Sequence, residues 1–365
     1  MDILIFAKTF YPNIGGMEVS TRIMAKELVR FGFSVTAVTG TLRNTDSELE
    51  EGYQVVRSNS FTKLLRLAGE AGCIIVRGGI SAAMGLAALL RGRPIICFHE
   101  MANPLPSPWS YFPYKPAKAL TDAIRKHILH QARFHIGVSH SVLEEKKMPP
   151  NIKTGVLYNP VASNLWTEAP LPKEQRDIDL LFVGRIRESK GVFIFAEALE
   201  QVASQTNIPR TVFAGAGPDL SNLKKRLEKL ESHQIEFWGE QKHETLSQLY
   251  ARSRWLIVPS TTLPEGMGMV AAEALAHGTP VIASDQAPLM EVIGKGGVTY
   301  PKSDSVALAN TLQEVLTDSD CWNKISEQAW QERDRFSLKA YQDTLKSWIT
   351  LGVFSQHEIP KEILS

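Results

Sequence analysis

Residues 255–283 read WLIVPSTTLPEGMGMVAAEALAHGTPVIA. The apolar run Trp255 to Val258, closed by Pro259, predicts a strand. The small residues that follow predict a helix ending near His277-Gly278, and Thr279 to Ala283 reads as the next strand. Such a strand–loop–helix unit fixes two carboxylates, Glu265 and Glu273, past the carboxyl end of a strand, where open α/β sheets bind ligands. Eight residues along a helix rise about 12 Å, too far for both carboxylates to act on one atom. They suit two hydroxyl-rich parts of one extended ligand. Between them, the backbone N–H groups of Gly266, Met267, Gly268 and Met269 open a helix and favour an anion. Carboxylate, anion cradle, carboxylate is an order that suits a sugar, a phosphate and a ribose.

The same alternation of strand and helix extends in both directions. Short apolar or β-branched runs lie at Ile3–Phe6, Ser34–Val38, Tyr53–Arg57, Cys73–Val76, Pro94–Phe98 and Phe134–Val138. A second series begins at Leu180–Val183 and continues with Thr211–Ala214, Ile235–Trp238, Trp255–Val258 and Pro280–Ala283. Segments of helical spacing separate many of them, such as Val19–Arg30 and Ala117–Gln131, and the tail from Asp304 reads as helical. Each series predicts a mostly parallel sheet covered on both faces. Between them, Asn159 to Pro172 is proline-rich and aperiodic, and the charged residues 173–179 follow; this is the expected linker. A chain of 365 residues suits two domains rather than one core. The expected division is 1–165, 166–340 and a terminal segment 341–365.

Composition narrows the function. Hydrophobic content of 44% and charged content of 22% fit an ordinary soluble globular protein, and a net charge of +1 argues against a dedicated nucleic-acid binder. Residues 1–165 nevertheless hold 19 Lys and Arg against 12 Asp and Glu, or +7, while the remainder holds 21 against 27, or −6. A basic first half fits an acidic or membrane-associated partner there, or simply an uneven partition of surface charge. The three scattered cysteines, Cys73, Cys97 and Cys321, fit reduced thiols in a cytosol. Met1 to Phe6 reads as a first strand rather than a signal peptide, and no apolar run reaches the ~18–20 residues of a membrane span. The expected location is cytoplasmic, with any membrane contact made peripherally from that side.

Three further elements stand in order before the glutamates. Tyr11-Pro12-Asn13-Ile14-Gly15-Gly16-Met17-Glu18 follows the first strand. Phe182-Val183-Gly184-Arg185-Ile186-Arg187-Glu188-Ser189-Lys190-Gly191 opens the second series, and Gly215-Ala216-Gly217-Pro218 follows its next strand. Together with Glu265 and Glu273, these four elements resemble the glycine loop, diphosphate segment, glycine turn and paired-glutamate motif of retaining glycosyltransferases of the GT-B fold, most closely family 4.

That resemblance implies two Rossmann-like domains facing a central cleft, the first binding the acceptor and the second the nucleotide-sugar donor, with a terminal helix near Tyr341–Leu351 crossing back to the first. It implies transfer of a hexose from a nucleoside-diphosphate sugar, UDP- or GDP-linked, with retention of configuration. The acceptor would be a glycan, a lipid-linked sugar or a small molecule, most in keeping with cell-envelope polysaccharide or glycolipid synthesis; a small soluble glycoside and a non-catalytic nucleotide-sugar binder are the alternatives. By resemblance Arg185 and Lys190 bind the donor diphosphate, with Gly15 and Gly16 facing it. Glu265 is catalytic, as charge stabiliser or sugar-positioning group, and Glu273 holds the ribose. Gly266 to Met269 offer backbone contacts to the donor. His99, at the end of the strand Pro94–Phe98, would point out of the core and touch the transferred sugar. Glu240 and Gln241 fall where the family contacts the base. Neither a metal nor another cofactor is expected, since cationic groups and helix dipoles can do a metal's electrostatic work. The aromatic, proline-rich stretch Asn103–Pro116 would be a lid or packed connection, an acceptor platform or a headgroup contact.

Overall fold

The computed structural model describes residues 2–7, 10–11, 16–41, 47–77, 82–100, 123, 126–128, 130–146, 152–230, 233–261 and 265–351. By contacts the chain divides into two units, Met1–Tyr158 with Tyr341–Ser365, and Asn159–Ala340.

The first unit opens with β1 (Asp2–Ala7), α1 (Gly16–Arg30), β2 (Ser34–Thr39), β3 (Ser47–Glu50) and β4 (Tyr53–Arg57). It continues with α2 (Phe61–Glu70), β5 (Cys73–Arg77), α3 (Ala82–Leu90), β6 (Ile95–His99), β7 (Phe134–Gly137), α4 (His140–Glu145) and β8 (Thr154–Val156). The sheet order is β3-β4-β2-β1-β5-β6-β7-β8, parallel except for the antiparallel β3–β4 pair. β1 shows why both faces are covered. Ile3, Ile5 and Ala7 point into one core with Met24 and Leu28 of α1, while Leu4 and Phe6 point into the other with Leu64 of α2 and Ala87 of α3. That alternation is the period of a strand buried on both sides.

The second unit contains β9 (Ile178–Val183), α5 (Val192–Ala203), β10 (Thr211–Ala214), α6 (Leu220–Leu227), β11 (Ile235–Gly239), α7 (His243–Arg252) and β12 (Ser253–Val258). Then come α8 (Met269–Leu275), β13 (Val281–Ser284), α9 (Ala287–Ile293), β14 (Gly297–Tyr300), α10 (Ser305–Thr317), α11 (Ser319–Glu332) and α12 (Leu338–Thr350). All six strands are parallel, in the order β11-β10-β9-β12-β13-β14. The chain winds one way from β9 and returns on its other side at β12. The carboxyl ends of β9 and β12 are therefore the topological switch point, where a doubly wound sheet opens a ligand crevice. Asp304 and Asp318 cap α10 and α11, each accepting a backbone N–H (2.8 Å from Ala307, 2.9 Å from Cys321).

Two expectations shift. The linker packs within the second unit, so the division falls after Tyr158 rather than after residue 165. Val161 N–H donates to Phe336 C=O at 2.9 Å, and Leu165 is buried. In the charged run 173–179, Arg176 is fully buried. Its guanidinium donates to the carbonyls of Leu171 (2.9 Å), Ser253 (2.7 Å) and His277 (2.9 Å), and to Thr279 Oγ1 (2.6 Å). All four acceptors are neutral oxygens, and burial pulls its pKa down to about 10. This arginine ties the linker to the start of β12 and the end of α8. From Tyr341 onward, α12 belongs to the first unit, where Tyr341, Leu345, Trp348 and Ile349 share the core of Ile3 and Ile5.

Candidate active site

The loop after β9 is shaped by contacts with two neighbouring loops. Gly184 N–H donates to Ala214 C=O (3.0 Å) and Ile186 N–H to Ala216 C=O (2.9 Å), which seats the loop on the Gly215–Pro218 turn. Ile186 is buried, whereas Arg185 beside it is exposed and has no partner among the described residues. Glu188 N–H donates to Asp219 Oδ2 (2.8 Å), and a 3-10 turn, Glu188–Lys190, ends the loop. Gly191 then takes φ +73°, and a Cβ there would stand 1.6 Å from Pro259 O. The close approach of the loop after β12 thus requires a glycine here. Thr261 N–H donates to Ser189 C=O (3.0 Å), so the two loops are stitched together at the switch point.

That stitching brings two separately assigned groups into contact. Lys190 Nζ donates to Glu265 Oε1 in an ion pair, and Ser260 Oγ donates to the same oxygen at 2.7 Å. Glu265 is 15% exposed and Lys190 35%, so the pair stands in reach of solvent. Ser260, absent from the sequence reading, is held by its carbonyl, which accepts from Ser284 Oγ and Gln286 Nε2, both at 2.8 Å. Nothing in its local sequence separates Ser260 from Thr261; only the fold turns its hydroxyl to Glu265.

The Gly266–Met269 cradle is only partly helical. α8 begins at Met269, Gly268 is left-handed at φ +76°, and a Cβ there would meet Leu289 Cδ2 at 2.4 Å. The helical rise reckoned between the glutamates therefore applies only to its second half. Met267 is buried, and its sulfur accepts from Asn159 N–H at 3.3 Å.

Glu273 is half-buried on α8. Its Oε2 accepts from the phenol of buried Tyr250 at 2.7 Å, leaving Oε1 without a protein partner among the described residues. Burial pushes its carboxyl up to about 7, with the Tyr250 hydrogen bond opposing. His277 follows: its Nδ1 lies 2.8 Å from Glu273 C=O and its Nε2 2.9 Å from Ser247 Oγ. A carbonyl can only accept, so Nδ1 carries the proton and Ser247 donates to Nε2. Burial lowers the His277 pKa to about 4.

The remaining expectations divide. Gly16 heads α1, whereas Gly15 and the stretch Asn103–Pro116 lie outside the described residues. Glu240 is exposed, and Gln241 Nε2 donates back to Trp238 C=O at 2.5 Å. His99 is turned inward, a correction to the expected outward ring: it is 6% exposed, with Nε2 2.9 Å from Nδ1 of buried His135. Their planes differ by 3°, and burial first, then Lys146 and His135, lowers the His99 pKa to about 3. A strand's last side chain still follows the pleat, so His99 lies on the same face of the sheet as Cys97 and as His135, the β7 residue paired with Cys97. Unread in the sequence was Arg77 at the end of β5, fully buried, which donates to Glu100 and to Ser20 Oγ (2.9 Å). The two Asp-x-Asp triplets, 177–179 and 318–320, serve the fold. Asp177 accepts from Arg252 (2.8 Å), Asp179 from Arg254 (2.7 Å), and Asp318 caps α11.

Residues 167–334 match the family model described as Glycosyl transferases group 1, a segment lying within the second unit. An uncharacterised glycosyltransferase of Methanocaldococcus jannaschii is 35% identical over 144 residues, 38% of this chain and 36% of that protein. The gpi3 subunit of the phosphatidylinositol N-acetylglucosaminyltransferase of Schizosaccharomyces pombe is 22% identical over 335 residues, 85% of this chain and 71% of the subunit. The chain thus spans little more than a third of the archaeal relative. Anabaena Alr3699/HepE, solved in complex with UDP and glucose, aligns with a TM-score of 0.75 over 96% of this chain and 100% of its own, at 18% identity. The architecture is the GT-B fold, and residues 167–334 of its second unit are similar to the glycosyl transferases group 1 model.

Proposed function

We propose that this chain is a retaining glycosyltransferase of family 4 type, taking a hexose from a UDP- or GDP-linked donor. The observation that carries the reading is the cluster at the β9/β12 switch point, where Lys190, Glu265 and Ser260 converge, with Arg185, which has no partner among the described residues, on the same loop as Lys190. Arg185 and Lys190 would bind the diphosphate, the arginine by its planar fork and the lysine as a point charge. Glu265 would accept hydrogen bonds from hexose hydroxyls, and Glu273 Oε1 from ribose hydroxyls. In the reaction, an acceptor hydroxyl oxygen bonds to the anomeric carbon as that carbon's bond to the β-phosphate oxygen breaks. The departing phosphate takes the hydroxyl proton on the same face, so configuration is kept. Charge that builds on the leaving group meets the two cations, which requires no metal.

The second unit would serve the donor and the first the acceptor. The basic surplus of residues 1–165 favours a lipid-linked or polyanionic acceptor met at the cytoplasmic face of a membrane, in envelope polysaccharide or glycolipid synthesis. Among the described residues no helix is long and apolar enough to cross a membrane.

Thermal unfolding with UDP, GDP, ADP and their common sugar conjugates, with and without EDTA, tests this. A bound nucleotide at a hundredfold excess over Kd adds about 2.7 kcal/mol, or about 5–10 °C in Tm for a domain of this size. One EDTA-insensitive responder is expected. If no nucleotide moves Tm by more than about 1 °C, the donor reading falls.

A further inference from the structure

We propose that Tyr250 is a positioning residue for the ribose, holding the Glu273 carboxylate so that Oε1 alone is presented to the nucleotide. This deepens, and rests on, the reading of Glu273 as the ribose-binding group.

The geometry is a two-point grip from α7. Tyr250 donates to Glu273 Oε2 at 2.7 Å. Ser247, three residues earlier on the same helix, donates to His277 Nε2 at 2.9 Å, and His277 Nδ1 donates to the Glu273 carbonyl at 2.8 Å. Side chain and main chain of one glutamate are thus both tied to one neighbouring helix. The grip is itself anchored: Thr279 Oγ1 donates to Tyr250 C=O (2.7 Å), and Arg176 donates to Thr279 Oγ1 and His277 C=O. A free glutamate side chain samples several rotamers, and ordering it on binding costs affinity. Here that ordering precedes the ligand.

The phenol also acts on charge. A carboxylate accepts two ribose hydroxyls well, whereas a protonated carboxyl must spend one oxygen as a donor. Burial raises the Glu273 carboxyl to about 7, and the Tyr250 hydrogen bond is the contact that favours its charged form. The other titratable groups around it leave Tyr250 in that role. His277 stays neutral, because burial lowers its pKa to about 4, and Arg176 and Arg333 bear on His277 rather than on the carboxylate. Removing the phenol therefore moves the Glu273 titration up, and ribose recognition is lost at a higher pH than in the parent.

The test compares affinity for UDP and 2′-deoxy-UDP, and for the guanine pair, from about pH 6 to 8.5 in the full chain. The parent should prefer the ribonucleotide by about tenfold at the alkaline end, as expected for hydrogen bonds to a charged group, and lose preference as pH falls through about 7. Tyr250→Phe should cut the preference to about threefold or less and move its midpoint upward. Glu273→Gln should have a small preference that pH does not change, and adding Tyr250→Phe to it should change nothing more. A Tyr250→Phe variant with the parent's preference and midpoint, while Glu273→Gln loses both, would leave the ribose reading intact and overturn the proposal. A parent preference that is flat with pH overturns it whether or not Tyr250→Phe folds. A parent that binds neither UDP nor GDP overturns the proposal and the donor reading together.

Discussion

Replacing Glu265 with glutamine is expected to slow release of nucleoside diphosphate from the nucleotide sugar by about 10²–10³-fold, while affinity for UDP or GDP holds or tightens. Glutamine keeps the shape of the side chain and a carbonyl oxygen that Ser260 Oγ can still reach; what disappears is the charge. In the proposed reaction, positive charge grows at the anomeric carbon as its bond to phosphate breaks, and a carboxylate that grips the hexose hydroxyls and is already oriented by Ser260 and Lys190 would also stabilise that charge without reorganisation. The same change releases Lys190 from its counter-charge, so the diphosphate meets the ammonium undivided. Turnover and nucleotide affinity then move in opposite directions, which a folding defect cannot produce. Kinetics with the donor, using water or a competent acceptor, against calorimetric titration with UDP and GDP would decide it. Turnover within about threefold of the parent would sink the assignment.

The order of chemistry along the chain was legible because it depends on local pattern. Apolar runs of strand length alternate with helical segments, and the segment from Gly184, the turn at Gly215 and the loop of Glu265 follow strand ends, which is where a parallel sheet puts its crevice. What escaped the pattern needed three dimensions. β3 is the polar run Ser47–Glu50, with Leu49 79% exposed, and a polar edge strand gives no apolar signal. β8 and β14 are three and four residues long and each contains a glycine. Arg176 read as one more charge of the linker, yet it is buried because four neutral oxygens, three of them from distant segments, surround it. Tyr250 and Ser260 are likewise invisible locally: their partners lie 23 and 5 residues away, and only the packing of α7 on α8 and the turn after β12 aim their hydroxyls. The motif named the groups proposed to meet a ligand; the groups that hold them came from the fold.

Lys190→Ala should weaken UDP or GDP binding by about 30–100-fold, more than one lost attraction accounts for. The reason lies in the pair. With no ligand, Lys190 neutralises Glu265, and in the proposed complex it stands between that carboxylate and the diphosphate. Truncating it removes an attraction and also leaves the Glu265 carboxylate, 15% exposed, facing an incoming polyanion without a cation between them. Arg185 provides the contrast. It has no protein partner among the described residues, so Arg185→Ala subtracts an attraction without uncovering a repulsion, and about tenfold is expected. The double variant Lys190→Ala/Glu265→Gln discriminates further. Neutralising Glu265 should restore about tenfold of the affinity lost in Lys190→Ala, although turnover stays at the level of the worse single variant. Calorimetric titration of the parent and the four variants with the nucleotide that stabilises the parent gives these ratios directly. Equal affinities for Lys190→Ala and the double variant would show that Glu265 does not face the diphosphate. Lys190→Ala matching the parent would remove the lysine from the donor site.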